Sequence, residues 1–248
     1  MANQSETGHA KNVANFSTLI TVINGFGELY NPSKQSITPA TMASLLESAK
    51  SVMNDFNSIS GNYGIAVANR EVAFGSLSKL TTRVLNSLRS SDANQQIIGT
   101  AASIVRKIQG KRATPKKTEE EKAALLAEGT VVKEISSSQM SFNSRLVNFD
   151  KLIQLVTQIP QYTPNEEELK SASLSNYYAT LSAVNRAARE AETALSSIRI
   201  ARNQILYESG SGLVDISLSV KTYVKSLFGA TSTQYRQVSG LTFKSEKL

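Results

Sequence analysis

The sequence predicts an all-α protein: an elongated helical bundle with two long central helices, built by internal duplication of an A-B-C helical unit. Three observations carry that expectation. Apolar residues step by three and four through Met42, Leu45, Ala49, Val52, Phe56, Ile59, Tyr63, Ala66, Arg70 and Ala73, the spacing of one face of a helix. The same stepping returns 132 residues later, through Leu174, Tyr177, Leu181, Val184, Ala188, Ala191, Leu195, Ile198, Arg202 and Ile205. Shorter matches precede both series: Asn15-Phe16 with Asn148-Phe149, and Tyr30-Asn31-Pro32 with Tyr162-Thr163-Pro164. A repeat of this length is weighed before any fold, and a seven-residue apolar period held over several cycles favours helices that supercoil on one another.

Element by element, the first copy starts after a polar stretch of about ten residues expected to be frayed. Val13, Phe16, Ile20 and Ile23 place the A helix at about 10–28. Asn31-Pro32 breaks it, because proline lacks an N–H and clashes with the preceding turn. Thr38-Pro39 starts the long B helix, with threonine as cap and proline at the first helical position; it runs to about Phe74. Leu77, Leu80, Val84 and Leu88 form the C helix. Asp92 with Gln95 is expected to cap a further helix carrying Ile97, Ile98, Ala101, Ile104, Val105 and Ile108.

Residues 110–117 read as a mobile basic linker between a first repeat at 10–109 and a second at 118–228. Thr118 followed by Glu119, Glu120 and Glu121 restarts a helix, since carboxylates favour the positive end of the helix dipole. Ile135, Phe142, Leu146, Phe149, Ile153 and Val156 make the second A helix, ending at Pro160. Thr163-Pro164 is expected to start the second long helix, with Glu166, Glu167 and Glu168 in its first turn, and to carry it to about Tyr207. Leu213 to Phe228 alternates at first like a strand, but Val220, Val224 and Leu227 continue a helical step, so a helix is expected. Residues 229–248 form a tail whose Val238, Leu241 and Phe243 dock on the bundle or pair as a strand.

Composition narrows the function. The chain of 248 residues has no cysteine, which excludes disulfides, thiolate metal sites and a cysteine nucleophile. The net charge of +7 is local: residues 1–117 hold 13 Lys/Arg against 6 Asp/Glu. Of those 13, Arg106, Lys107, Lys111, Arg112, Lys116 and Lys117 fall in one acid-free stretch. The N-terminus has no basic region followed by an apolar core, and no stretch approaches the ~18 apolar residues of a membrane span; a cytoplasmic location is expected.

Chemistry-bearing motifs are sparse. His9 is the single histidine and lies in the stretch expected to be frayed, so no histidine-based triad or metal site is expected; no cofactor or small-molecule substrate is expected either. Gly61-Asn62-Tyr63-Gly64 lacks the lysine of a phosphate loop. The glutamate clusters sit at expected helix starts, where capping explains them. Arg70 and Arg202 interrupt both apolar series at the same step. They are expected at the edge of the seam with stems packed and heads in water, or as register-setting and partner-gripping contacts.

The function expected is therefore that of a non-enzymatic structural or protein-interaction protein that presents long helix faces for self-assembly or partner binding. The alternative is a nucleic-acid-associated protein that meets phosphates through Arg106, Lys107, Lys111, Arg112, Lys116 and Lys117. A third reading, a helical pore-forming-toxin-like protein, needs a concealed apolar hairpin. Its candidate, 213–228, is short and carries Asp215, Lys221 and Lys225, so a membrane partner is not expected.

Overall fold

A computed structural model describes residues 6–111, residue 127 and residues 140–245, with the backbone alone for residues 6 and 7. Among the described residues every regular element is helical and no strand occurs: the protein is all-α. In chain order the helices are α1 (Glu6–Asn24), α2 (Pro39–Gly75), α3 (Leu77–Arg89), α4 (Gln95–Gln109), α5 (Phe142–Thr157), α6 (Ser171–Tyr207), α7 (Leu213–Phe228) and α8 (Thr233–Ser239). Single 3-10 turns occupy Gly27–Leu29, Gln35–Ile37 and Glu167–Leu169.

The long helices α2 and α6 are each 37 residues, and nearly every position of the two apolar series is buried or half-buried. α2 starts at Pro39 as the Thr38-Pro39 pair predicts, with the Thr38 hydroxyl accepting from the Thr41 N–H at 3.5 Å. Its partner starts later than expected. Thr163-Pro164 lies in a loop, and α6 begins at Ser171. The cause is a tyrosine latch: the Tyr162 hydroxyl donates to the Leu169 carbonyl at 2.8 Å, and residues 163–168 wrap around it. The same latch precedes α2, where the Tyr30 hydroxyl donates to the Ile37 carbonyl at 2.8 Å.

Other boundaries also move. α1 begins at Glu6, so the N-terminal stretch is helical from there and not frayed, and the helix stops at Asn24. The cap of α4 is Asn94, whose side chain accepts from the Gln96 N–H at 2.8 Å; Asp92 with Gln95 does not cap it. Glu166, Glu167 and Glu168 do not sit in the first turn of a long helix. Glu167 pairs with Lys170 at 2.6 Å, and Glu168 pairs with Arg83. The tail forms α8, whose Val238 is fully buried. The linker beyond Lys111, the helix start at Thr118, and Ile135 lie outside the described residues.

The chain divides into two compact units, Met1–Gly64 with Ala191–Leu248, and Ile65–Glu190. In the first, Phe16, Leu19 and Ile23 of α1 meet Met42 and Ala49 of α2, Leu206 of α6, Leu213, Val220 and Val224 of α7, and Val238. In the second, Phe74 of α2 and Leu77, Val84 and Leu88 of α3 meet Ile98, Val105 and Ile108 of α4. Phe149, Leu152 and Val156 of α5 and Leu174 and Leu181 of α6 complete that core. Each unit thus draws helices from both halves of the chain. α2 supplies residues 39–64 to the first and 65–75 to the second; α6 supplies 171–190 to the second and 191–207 to the first. The driving force is burial of apolar area, worth about 25 cal/mol per Å² removed from water.

Candidate functional site

The basic turn of α4 is positioned by that helix's apolar face. With Ile98, Ala101, Val105 and Ile108 buried, Lys107 is left exposed and Arg106 half-exposed, the latter donating to Ser103 Oγ at 2.8 Å. Cations at this end complement the partial negative charge of the last carbonyls. Gly110 ends the helix with φ 65°, and the Lys111 N–H closes back on the Arg106 carbonyl at 2.9 Å. Glycine is favoured here because the backbone is left-handed; a Cβ would also displace the flexible Met140 side chain.

Met140 leads directly into α5, whose Ser141 cap accepts from the Ser144 N–H at 3.1 Å. Here two arginines and two phenylalanines cross. Arg70 of α2 lies over the Phe142 ring of α5 at 4.2 Å, and Arg145 of α5 lies over the Phe74 ring of α2 at 5.4 Å. The two rings pack edge to face, 4.8 Å between centroids. Arg145 also donates to the Phe74 carbonyl at 3.3 Å. Each cation–ring contact is worth about 0.5–2 kcal/mol depending on its desolvation. Burial pushes the Arg145 guanidinium below its ordinary pKa. The Nε atoms of Arg70 and Arg145 are buried without a hydrogen-bond partner.

Arg70 and Arg145 thus lie at the crossing of α2 and α5, and Arg106, Lys107 and Lys111 at the end of α4, where Gly110 approaches Met140 just before α5; all five belong to the second unit. None of them takes part in an ion pair among the described residues, whose pairs are Lys50–Glu47, Arg83–Glu168, Lys170–Glu167 and Arg186–Glu190. Arg112, Lys116 and Lys117 lie outside the described residues. Arg202 is elsewhere. It belongs to the first unit, lies 4.8 Å from the Phe56 ring, and donates from Nε and NH2 to Asn203 Oδ1 at 3.2 and 3.0 Å. At 5% exposed it is buried, not a seam-edge residue with its head in water, because the ring and the amide replace that water. Both seam arginines therefore stack on a phenylalanine, in different units.

His9 corrects another expectation. It sits in α1, 1% exposed, with Nδ1 2.6 Å from the Tyr207 hydroxyl. A polar groove of about 720 Å³ lies along the end of α3, lined among others by Arg83, Asn86, Ser90, Asp92, Thr163 and Glu166. A second, more apolar groove of about 600 Å³ is lined among others by Ser76, Lys79, Leu80, Arg83, Glu168 and Tyr177. There the Tyr177 hydroxyl donates to the Ala73 carbonyl at 2.6 Å and lies 2.9 Å from Ser76 Oγ. Among the described residues no group of three His, Cys, Asp or Glu converges as metal ligands would. No described helix is long and apolar enough to cross a membrane.

Arg145 was not singled out from the sequence. Its signal is faint: an arginine three residues after Phe142, as Arg70 stands four before Phe74, becomes meaningful only when α2 and α5 are known to cross. Comparison of the chain with protein-family models, curated proteins and solved structures finds no match, so the functional reading rests on this geometry.

Proposed function

We propose that this is a non-enzymatic interaction protein, and that the junction of α2, α4 and α5 in the second unit is a contact face for an acidic protein partner. The observation that carries the reading is the set of cations without paired carboxylates, among the described residues, on α2, α5 and the end of α4, with Met140, which is 50% exposed, between the last two. Arginine and methionine are enriched at protein interfaces, and a guanidinium held against a ring still offers N–H donors to a carboxylate. The long helices act as the support for this face. The recurrence of the tyrosine latch and of a 37-residue helix in each half supports descent of both halves from one ancestral unit.

The test is capture of partners by the full-length protein and by a Lys107→Glu, Lys111→Glu variant. A protein retained by the first and lost by the second is the expected result. The same retained set for both would refute the assignment of the face.

A second reading is favoured by the acid-free run that continues through Arg112, Lys116 and Lys117: contact with a nucleic-acid backbone. Five neutralised phosphates would give roughly a 500-fold loss of affinity between about 50 and about 200 mM salt. Fluorescence anisotropy with a short DNA duplex measures it, and affinity independent of salt excludes it.

A further inference from the structure

The first unit holds a different kind of contact. After α8, residues 241–245 run without helix between α1 and α7, with Leu241 and Phe243 half-buried against the core and Thr242 and Lys244 exposed. This is the alternation of a strand, yet its backbone pairs with side chains. The Asn15 amide donates to the Thr242 carbonyl at 2.7 Å. Asn12 holds Lys244 from both sides, donating to its carbonyl at 2.9 Å and accepting from its N–H at 3.0 Å. The Lys221 ammonium donates to the carbonyls of Ser239, at 3.3 Å, and Leu241, and lies 5.4 Å from the Phe243 ring. All of these hydrogen bonds go to main-chain atoms of residues 239–244.

That pattern is how extended peptides are recognised: main-chain bonds supply affinity, and pockets for alternate side chains supply selectivity. The clamp is built into the fold. Asn12 is buried, and its amide also donates to the Tyr207 hydroxyl at 3.3 Å, an anchor outside the segment. The segment contrasts with the residues just before it. Val238 is fully buried in the core, whereas no side chain of 241–245 is. Lys221 sits beneath it with its pKa lowered by burial and carbonyls as its partners there, an arrangement that a carboxylate would improve.

We infer that the groove between α1 and α7 is a peptide-binding site that residues 241–245 occupy in cis, and that it accepts in trans an extended partner segment with apolar side chains at two alternating positions. An acidic residue placed beside Lys221 strengthens such a partner. The site is separate from the basic junction of the second unit and stands without it. The tethered segment competes at an effective concentration of order millimolar, so the intact protein binds a free peptide weakly until the strap is loosened.

The experiment uses the full-length chain and a Leu241→Ser, Phe243→Ser variant, which removes the two apolar side chains without adding a carboxylate beside Lys221. The probe is a fluorescent peptide of residues 239–245, with a second peptide carrying serine at the two apolar positions as control. The variant should bind the probe at least about tenfold tighter than the unaltered protein, in line with removal of that intramolecular competitor, and should ignore the control. Equal binding by both proteins, or no binding by a variant of unaltered helicity, overturns the inference. If the variant loses helicity, hydrogen exchange on the unaltered protein decides. Saturating probe should speed exchange at the Lys244 amide while the α8 amides keep their protection, and an unchanged Lys244 rate overturns the proposal.

Discussion

Replacing Tyr162 with phenylalanine deletes one oxygen and tests the latch that sets the start of α6. The hydroxyl donates at 2.8 Å to the Leu169 carbonyl, and both residues are buried. A typical hydrogen bond contributes about 1 kcal/mol net, while a buried carbonyl left unpaired costs about 1–3 kcal/mol. Tyr162→Phe should therefore lose about 1–3 kcal/mol near neutral pH. The latch also has an alkaline limb. Burial, with a smaller push from Glu166, raises the Tyr162 pKa to about 12, against about 10 in an unfolded chain. Its contribution is fully present below about pH 10 and is lost as pH rises toward about 12, because the unfolded state releases its proton first. The difference between those two pKa values is worth at most roughly 3 kcal/mol, less whatever solvent screening removes. Phenylalanine has no such limb, so the variant should be less stable than the parent at neutral pH and lose less between about pH 9 and about pH 12. Urea denaturation followed by far-UV circular dichroism across that range measures both effects. A neutral-pH loss below about 0.3 kcal/mol, or an alkaline loss equal to the parent's, would contradict this account of the latch. In the first unit the Tyr30 pKa is raised in the same direction, by burial and then by Tyr223. Tyr30→Phe should behave alike, and the double variant should be additive, since the latches share no partner.

Leu181 is 0% exposed and belongs to the second core; Leu181→Ala should cost about 2–5 kcal/mol. By contrast Val72→Ala, at a side chain 80% exposed, should stay within about 0.5 kcal/mol; chemical denaturation of both variants checks the register of the helices. Gly212 precedes α7, and a Cβ there would lie 2.5 Å from the Glu208 nitrogen and 2.8 Å from its carbonyl oxygen. Gly212→Ala should therefore lower the thermal midpoint, by the equivalent of about 1–3 kcal/mol. Gly61 is in the interior of α2 with open space around it, and Gly61→Ala should raise the midpoint, by the equivalent of about 0.5–1 kcal/mol.

Most helices were legible because their signal is local. The three-four stepping through Met42 to Ala73 and Leu174 to Ile205 marks the face that turns inward, and Leu213–Phe228 is helical despite its strand-like start. Misreadings arose where a distant contact outweighs a local cue. Thr163-Pro164 has the look of a helix start, but Tyr162 reaches forward to Leu169 and delays the helix to Ser171. The 132-residue spacing itself places this proline opposite Pro32, which also precedes its long helix. His9 stands in a polar stretch whose helicity and burial rest partly on Tyr207, a residue 198 positions away. Of the candidate site, Arg106, Lys107 and Lys111 were visible as a charge run; Arg145 and the clamp of Asn12, Asn15 and Lys221 were not, because isolated polar residues on amphipathic helices look like solvated faces.

Residue order alone was enough to show that this chain is helical, where its long helices lie and which of their faces are apolar, because helix periodicity is a property of neighbours within a few turns. Which faces meet was settled only by packing in three dimensions: α1 with α7, α4 with α5, and each long helix shared between two cores. Apolar stripes of leucine, isoleucine and valine are nearly interchangeable as partners. The choice among them is made by shape, by crossed pairs such as Arg70 with Phe142 and Arg145 with Phe74, and by buried bonds between residues far apart in the chain.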